Sequence, residues 1–178
     1  MLFNVAQLLK TAVGTIRTYD LEEWLPNLDE QTLLAEPIHG TVKFTRTNRG
    51  ILVDARLTTS AKLECSRCLD VYVEHLPINF CEEYIPVVDV ETGHAVDIPH
   101  EVYAFLINEK HEIDLEPAVR EYGVLALPMK PLCRAECAGL CPQCGANLNR
   151  ERCTCVVDAT DPRFAGLKAF LSSEESSS

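Results

Sequence analysis

The sequence predicts an α+β fold, with an antiparallel β-meander or sheet, a few helices and a cysteine-rich C-terminal segment. Three observations predict this class. Two alternating runs rich in β-branched residues flank the turn TNRG within residues 37–85. Apolar residues follow a helical period over residues 112–128. Five of the nineteen residues from Cys137 to Cys155 are cysteine, a density that calls for a chemical reason.

The N-terminal half is predicted to consist mainly of strands. The stretch NVAQLLK predicts a short helix capped by Asn4. Alternation in GTIRTYDL predicts a strand, and the hairpin HGTVKFTRTNRGILVDARLTTSAKLEC turns at Asn48 and Gly50. A further strand is predicted for VYVEHLPINF, and the stretch VVDVETGHAVDIPHE reads as a loop.

The C-terminal half combines helices with the cysteine block. Asp114 can cap a helix that has Pro117 in its first turn and that Pro128 and Pro131 end. One face of this helix carries Leu115, Val119, Tyr122 and Ala126. A last helix, DPRFAGLKAFL, has Asp161 as N-cap and Pro162 at its first position. We therefore predict an α+β core over residues 1–130, a metal-binding segment with a helix over 131–171, and a disordered tail over 172–178.

Bulk composition is typical of a soluble globular chain. The 178 residues are 47% hydrophobic and 24% charged. No window approaches the roughly 18 uninterrupted apolar residues that a membrane helix needs. The start, MLFNVAQLLKTAVG, has no positive region before its apolar stretch and is a poor signal peptide. We therefore expect a cytoplasmic protein.

The cysteines indicate metal binding rather than disulfides. The cytoplasm is reducing, and nine is an odd number of cysteines. In CPQCG, two residues between Cys141 and Cys144 let both sulfurs face one ion, and Gly145 supplies the positive φ of such a turn. The pair Cys153 and Cys155 follows closely. Four thiolates from two pairs suit tetrahedral zinc, and iron–sulfur ligation remains open.

A second group of four takes in the upstream motif CSRC. Its Cys65 and Cys68 have Cys133 and Cys137 as the predicted companions. This division gives two ions and leaves Cys81, which we expect to be a buried strand residue. A single ion with a different choice of four remains open, because Cys137 could instead join the CPQCG pair.

The sequence contains no recognisable catalytic constellation. Its five histidines are scattered, and no phosphate-binding loop or nucleophile elbow is present. A formal net charge of −11 repels phosphate backbones and suits a basic protein partner. The best place for a local RNA contact is the basic group Arg46, Arg49 and Arg56.

Five motifs follow one another along the sequence, and these motifs are FNVAQLL, LECSRCLD, EIDLEPAVREYGVLALPMKPLC, CAGLCPQCGANLN and DPRFAGLKAFL. The chain resembles the YceD family in these five motifs and in their order along the sequence. These are the large ribosomal RNA subunit accumulation proteins of bacteria, with relatives in plastids. The resemblance implies a non-enzymatic role in ribosome biogenesis, supporting accumulation or processing of large-subunit rRNA. The expected partners are ribosome assembly components: a basic ribosomal protein or the large-subunit rRNA precursor, with no membrane and no small-molecule substrate. The alternatives are a metal- or thiol-dependent enzyme that uses one cysteine site, and a zinc-handling protein.

Overall fold

A computed structural model describes residues 1–97 and 105–155 of the chain. The chain divides into two compact units, Met1–Ser66 with Asp70–Cys133, and Arg67–Leu69 with Arg134–Ser178. The predicted helix over 161–171 and the predicted tail over 172–178 lie outside the described residues.

The first unit contains all the helices and strands of the described residues, and most of these elements are strands. No helix within the described ranges is long and apolar enough to cross a membrane. The elements in chain order are β1 (Leu2–Asn4), α1 (Ala6–Leu9), β2 (Ile16–Glu23), β3 (Leu33–Leu34), β4 (Ile38–Arg46), β5 (Ile51–Glu64), β6 (Val71–Pro86), β7 (Phe105–Ile107), β8 (Glu112–Asp114) and α2 (Glu116–Leu125).

The strands form one mixed sheet in the order β1-β8-β7-β6-β5-β4-β2, with β3 also pairing with β5. Every pair is antiparallel except β6 and β7, which run parallel from Tyr84 beside Phe105 to Pro86 beside Ile107. The prediction of an antiparallel sheet therefore needs correction. The 87–104 segment is long enough for the crossover connection that a parallel pair of strands requires. The sequence could not predict this pairing, because no local residue pattern indicates which distant strands pair in parallel.

The hairpin predicted at TNRG joins β4 to β5. The Thr47 N–H donates to the Gly50 carbonyl at 3.0 Å, and the Gly50 N–H donates to Thr47 Oγ1 at 2.9 Å. A Cβ on Gly50 would lie 2.0 Å from the carbonyl oxygen of Tyr84 on the neighbouring strand. The two hydrogen bonds close the turn, and the absence of a side chain on Gly50 allows the turn to lie against β6.

Alternation along the long central strands builds the hydrophobic core of this unit. On β6 the even-numbered Ile78, Phe80 and Tyr84 are buried. Cys81 points to the opposite face, where it pairs with Asp54 and is exposed. The expectation of a buried Cys81 is therefore wrong, because strand residues next to a core-facing phenylalanine face outward.

Helix α2 covers part of this core. Its buried residues are Ala118, Val119 and Gly123, and it ends at Leu125, before the prolines that were expected to end it. Gly123 leaves room for the Leu28 side chain, since a Cβ there would lie 2.6 Å from Leu28 Cδ2. Close packing on a small residue therefore holds the helix against the loop before β3.

Candidate metal centre

The second unit brings together the sulfurs of Cys141, Cys144, Cys153 and Cys155, all within 4.8 Å of one another. A tetrahedral zinc ion with Zn–S bonds of about 2.3 Å has its four sulfurs roughly 3.8 Å apart. The observed cluster is therefore close to the size that such an ion requires. Four cysteine sulfurs also suit iron, so the geometry by itself supports metal binding without naming the metal.

The first pair of this cluster sits on a tight turn. The Gly145 N–H donates to the Cys141 carbonyl at 2.9 Å, and the Cys141 N–H donates to the Ala146 carbonyl at 2.8 Å. Gly145 has a φ of +74°, the left-handed conformation that the sequence motif predicted for it. Leu140 and Asn147 form a bridge that continues this small hairpin. Short-range hydrogen bonds therefore shape the turn that carries these two thiols.

The sulfurs of the cluster influence one another electrostatically. The backbone N–H groups of Cys144 and Gln143 point at the Cys141 sulfur and lower its pKa to about 6. A hydrogen bond to the Cys144 sulfur raises the pKa of Cys155 to about 12, and one to the Cys141 sulfur raises the pKa of Cys153. Four clustered thiols therefore resist ionising together, and a bound divalent cation would offset that repulsion.

The other predicted group of four is divided between the two units. Cys65 and Cys133 belong to the first unit, and Cys68 and Cys137 belong to the second. Three of these residues are buried, and Cys133 is half-buried. Their grouping around one ion stays a prediction. Cys81 belongs to neither group.

Local contacts in the first unit shape the start of the CSRC turn. The Cys65 N–H donates to the Asp70 carbonyl at 2.9 Å. The Ser66 N–H and hydroxyl both donate to the Pro131 carbonyl, each at 2.9 Å. The turn is therefore tied to the chain that leads into Cys133, which accounts for two distant parts of the sequence meeting here.

Asn149 supports a cysteine in the second unit, and sequence reasoning missed it. Its Nδ2 donates to the Cys137 sulfur at 3.3 Å, while its Oδ1 accepts from the Ala138 N–H at 2.9 Å. The Arg67 guanidinium donates to the Cys137 carbonyl at 2.9 Å. An asparagine in a polar stretch carries no sequence signal for such a role. N–H donors to a thiolate stabilise its charged form and orient it.

The three arginines of the predicted RNA contact differ in their surroundings. Arg46 donates to the carbonyls of Leu9 at 3.0 Å and Gly50 at 2.9 Å, and also to the Thr47 carbonyl. Arg49 is paired with Glu83, and the exposed Arg56 lies 3.8 Å from the carboxylate of Asp54. Arg46 therefore has a structural task in closing the hairpin. A nucleic-acid role for the group stays a prediction.

Replacing Arg46 by alanine is expected to lower the free energy of unfolding by about 1–3 kcal/mol, because three part-buried carbonyls lose their donor. Arg56→Ala is the matched control, since the Arg56 side chain is 77% exposed and its substitution is expected to change stability by less than about 0.5 kcal/mol. Urea unfolding of both variants measures the difference. Equal free energies of unfolding for the two variants would show that the hydrogen bonds from Arg46 to the three carbonyls do not stabilise the fold.

Residues 53–171 match the family described as large ribosomal RNA subunit accumulation protein YceD. An uncharacterized protein of Mycobacterium tuberculosis is 30% identical over 135 residues, covering 71% of this chain and 58% of the relative. A Mycobacterium leprae protein is 28% identical over 143 residues, covering 76% of this chain and 59% of the relative.

A plant protein is also similar to this chain. The chloroplastic large ribosomal RNA subunit accumulation protein YCED homolog 1 of Arabidopsis thaliana is 27% identical over 152 residues, covering 74% of this chain and 47% of the relative. The chain thus spans about half to three fifths of the length of these relatives. No solved structure matches it. Because the family match covers more than half of its residues, the chain belongs to the YceD family of large ribosomal RNA subunit accumulation proteins.

Proposed function

We propose that this protein is a ribosome biogenesis factor that supports the accumulation or processing of large-subunit rRNA by binding an assembly partner. The observation that carries the proposal is the family match over residues 53–171, which takes in both cysteine groups. Residues 1–130 act as the α+β core and residues 131–171 as the metal-binding segment.

Zinc is the metal we assign to both cysteine groups. Four thiolates from paired cysteines are a common ligand set of structural zinc, and they need no redox chemistry. Iron held by the same cysteines would give a coloured protein. Elemental analysis identifies the bound metal directly and so distinguishes zinc from iron. The zinc ligands of this proposal are Cys65, Cys68, Cys133 and Cys137 for one ion, and Cys141, Cys144, Cys153 and Cys155 for the other.

Such sites favour binding over catalysis. A catalytic zinc usually keeps three protein ligands and an open position for water, whereas four thiolates leave no open position. Eight thiolates contribute −8 and two zinc ions +4, which changes the formal charge from −11 to −15. The loaded chain attracts a basic ribosomal protein more readily than bare rRNA. We place it in the cytoplasm, where nine cysteines stay reduced.

The test is genetic. Deleting the gene is expected to lower the ratio of large- to small-subunit rRNA, and expressing the wild-type chain is expected to restore it. A chain with Cys141→Ser and Cys144→Ser is expected to fail, whereas Cys81→Ser is the matched control because Cys81 lies outside both groups. Quantifying both rRNAs on a gel measures the ratio. An unchanged ratio after deletion would show that the proposed function is wrong.

A further inference from the structure

A cavity of about 440 Å³ lies in the first unit, beside the β4–β5 turn and the chain that follows β6. Sites that bind small molecules have volumes of about 300–1,000 Å³ and mostly apolar walls with a few polar groups. This cavity has that character. Its apolar lining consists of Leu9, Ile85, Pro86, Val90 and Val96, and its polar lining of Arg46, Asn48, Arg49, Asp89 and Asp97.

The positive charges that line the cavity are already engaged. The Arg46 guanidinium donates to backbone carbonyls of α1 and of the β4–β5 turn. Arg49 is paired with the carboxylate of Glu83, which also accepts a hydrogen bond from the Thr47 hydroxyl at 2.7 Å. A negatively charged ligand would have to compete with these partners. The arginines therefore do not make the cavity an anion site.

The two aspartates of the lining differ in their partners. Asp89 Oδ1 accepts from the N–H groups of Glu91 at 3.0 Å and Thr92 at 2.7 Å and from the Thr92 hydroxyl at 2.9 Å. These bonds stabilise the turn and lower the pKa of Asp89. No described residue forms an ion pair with Asp89. Asp97 is exposed, and among the residues that the structure describes none pairs with its carboxylate. The rim of the cavity therefore presents the exposed Asp97 carboxylate to a ligand, with the negative charge of Asp89 close by.

An apolar floor below a rim that carries an exposed carboxylate suits a side chain with an aliphatic stem and a cationic head. Lysine and arginine have this form, and both bury their stems while keeping the charge at the surface. The net charge of −11 attracts such a ligand and repels the phosphates of a nucleic acid.

We propose that this cavity binds an arginine or lysine side chain presented by an exposed basic segment of a protein partner. The inference rests on the proposed function, in which the chain acts by binding an assembly partner.

The first test uses a fluorescein-labelled peptide, Gly-Leu-Arg-Leu-Arg-Leu-Gly, and fluorescence anisotropy with the full, metal-loaded chain. The same peptide with norleucine in place of arginine is expected to bind at least tenfold more weakly. Asp97→Asn is expected to weaken binding of the arginine peptide about three- to tenfold. Val96→Phe, which fills the cavity, is expected to abolish it. Asp20→Asn on β2 removes the same charge outside the cavity and is expected to leave binding unchanged.

Three results would overturn the inference: equal losses for Asp97→Asn and Asp20→Asn, wild-type affinity in Val96→Phe, or displacement of the peptide by a polyuridine RNA at stoichiometric concentration. The first would indicate general charge attraction, and the last a nucleic-acid site. Thermal unfolding checks that each variant is folded. If Val96→Phe does not fold, the comparison of Asp97→Asn with Asp20→Asn tests the inference without it.

The rRNA assay separates failure of this inference from failure of the proposed function. If the wild-type chain restores the rRNA ratio and Asp97→Asn restores it equally well, the cavity is not the partner site, although the biogenesis role stands. If gene deletion leaves the ratio unchanged while the peptide still binds selectively, the cavity recognises a basic segment in some other process.

Discussion

Replacing Cys141 and Cys144 by serine is expected to remove one of two zinc ions and to unfold the described hairpin of the second unit. Structural zinc in small motifs contributes roughly 10–16 kcal/mol of apparent binding free energy at neutral pH. This is as large as the whole stability of a typical domain, about 5–15 kcal/mol. The few hydrogen bonds between neighbouring residues around Gly145 cannot replace the free energy that the zinc ion contributes. The sheet of the first unit is expected to retain its β signal in circular dichroism.

Elemental mass spectrometry and a thiol count provide the measurement. The wild-type chain is expected to hold two zinc ions with about one reactive thiol, that of Cys81, since eight of its nine cysteines are assigned as ligands. Cys81→Ser is the matched control and is expected to keep both ions. Loss of all β signal in the double variant would show that the sheet depends on this site. Retention of two ions would show that these two cysteines are not ligands.

Replacing Gly50 by alanine is expected to lower the free energy of unfolding by roughly 2–3 kcal/mol, a typical cost of forcing an extra carbon into close packing. The new Cβ would meet the Tyr84 carbonyl oxygen at 2.0 Å and the Ile85 Cα at 3.2 Å, and both are backbone atoms that cannot rotate away. The β4–β5 turn would have to move from β6. Because Ile85 lines the cavity beside this turn, binding of the arginine peptide is expected to weaken as well.

Asn48→Ala in the same turn is the control for this change. The expected effect of this control on stability is less than about 0.5 kcal/mol, because no described hydrogen bond uses the Asn48 side chain. Urea unfolding of the two variants measures the difference. A stable Gly50→Ala chain would contradict the close approach of the turn to β6.

Features that depend on neighbours in the chain were predictable from the sequence. The hairpin at TNRG, the turn of CPQCG with its positive-φ glycine, and the start of α2 just after Asp114 all rest on contacts within a few residues. Turn chemistry and hydrophobic period express such contacts directly. By contrast, β1, β3, β7 and β8 have only two or three residues each, too few to show alternation.

The sequence by itself determined the strand-rich character of the core, the hairpin turn and the family to which the chain belongs. It also identified eight cysteines as candidate ligands from the short spacing within their pairs. Only the tertiary structure decided the parallel pairing of β6 with β7, the exposure of Cys81 and the use of Arg46 within the hairpin. Each of these depends on which face of a strand meets the core or on which distant segment lies beside it. Spacing along the chain does not encode such long-range contacts.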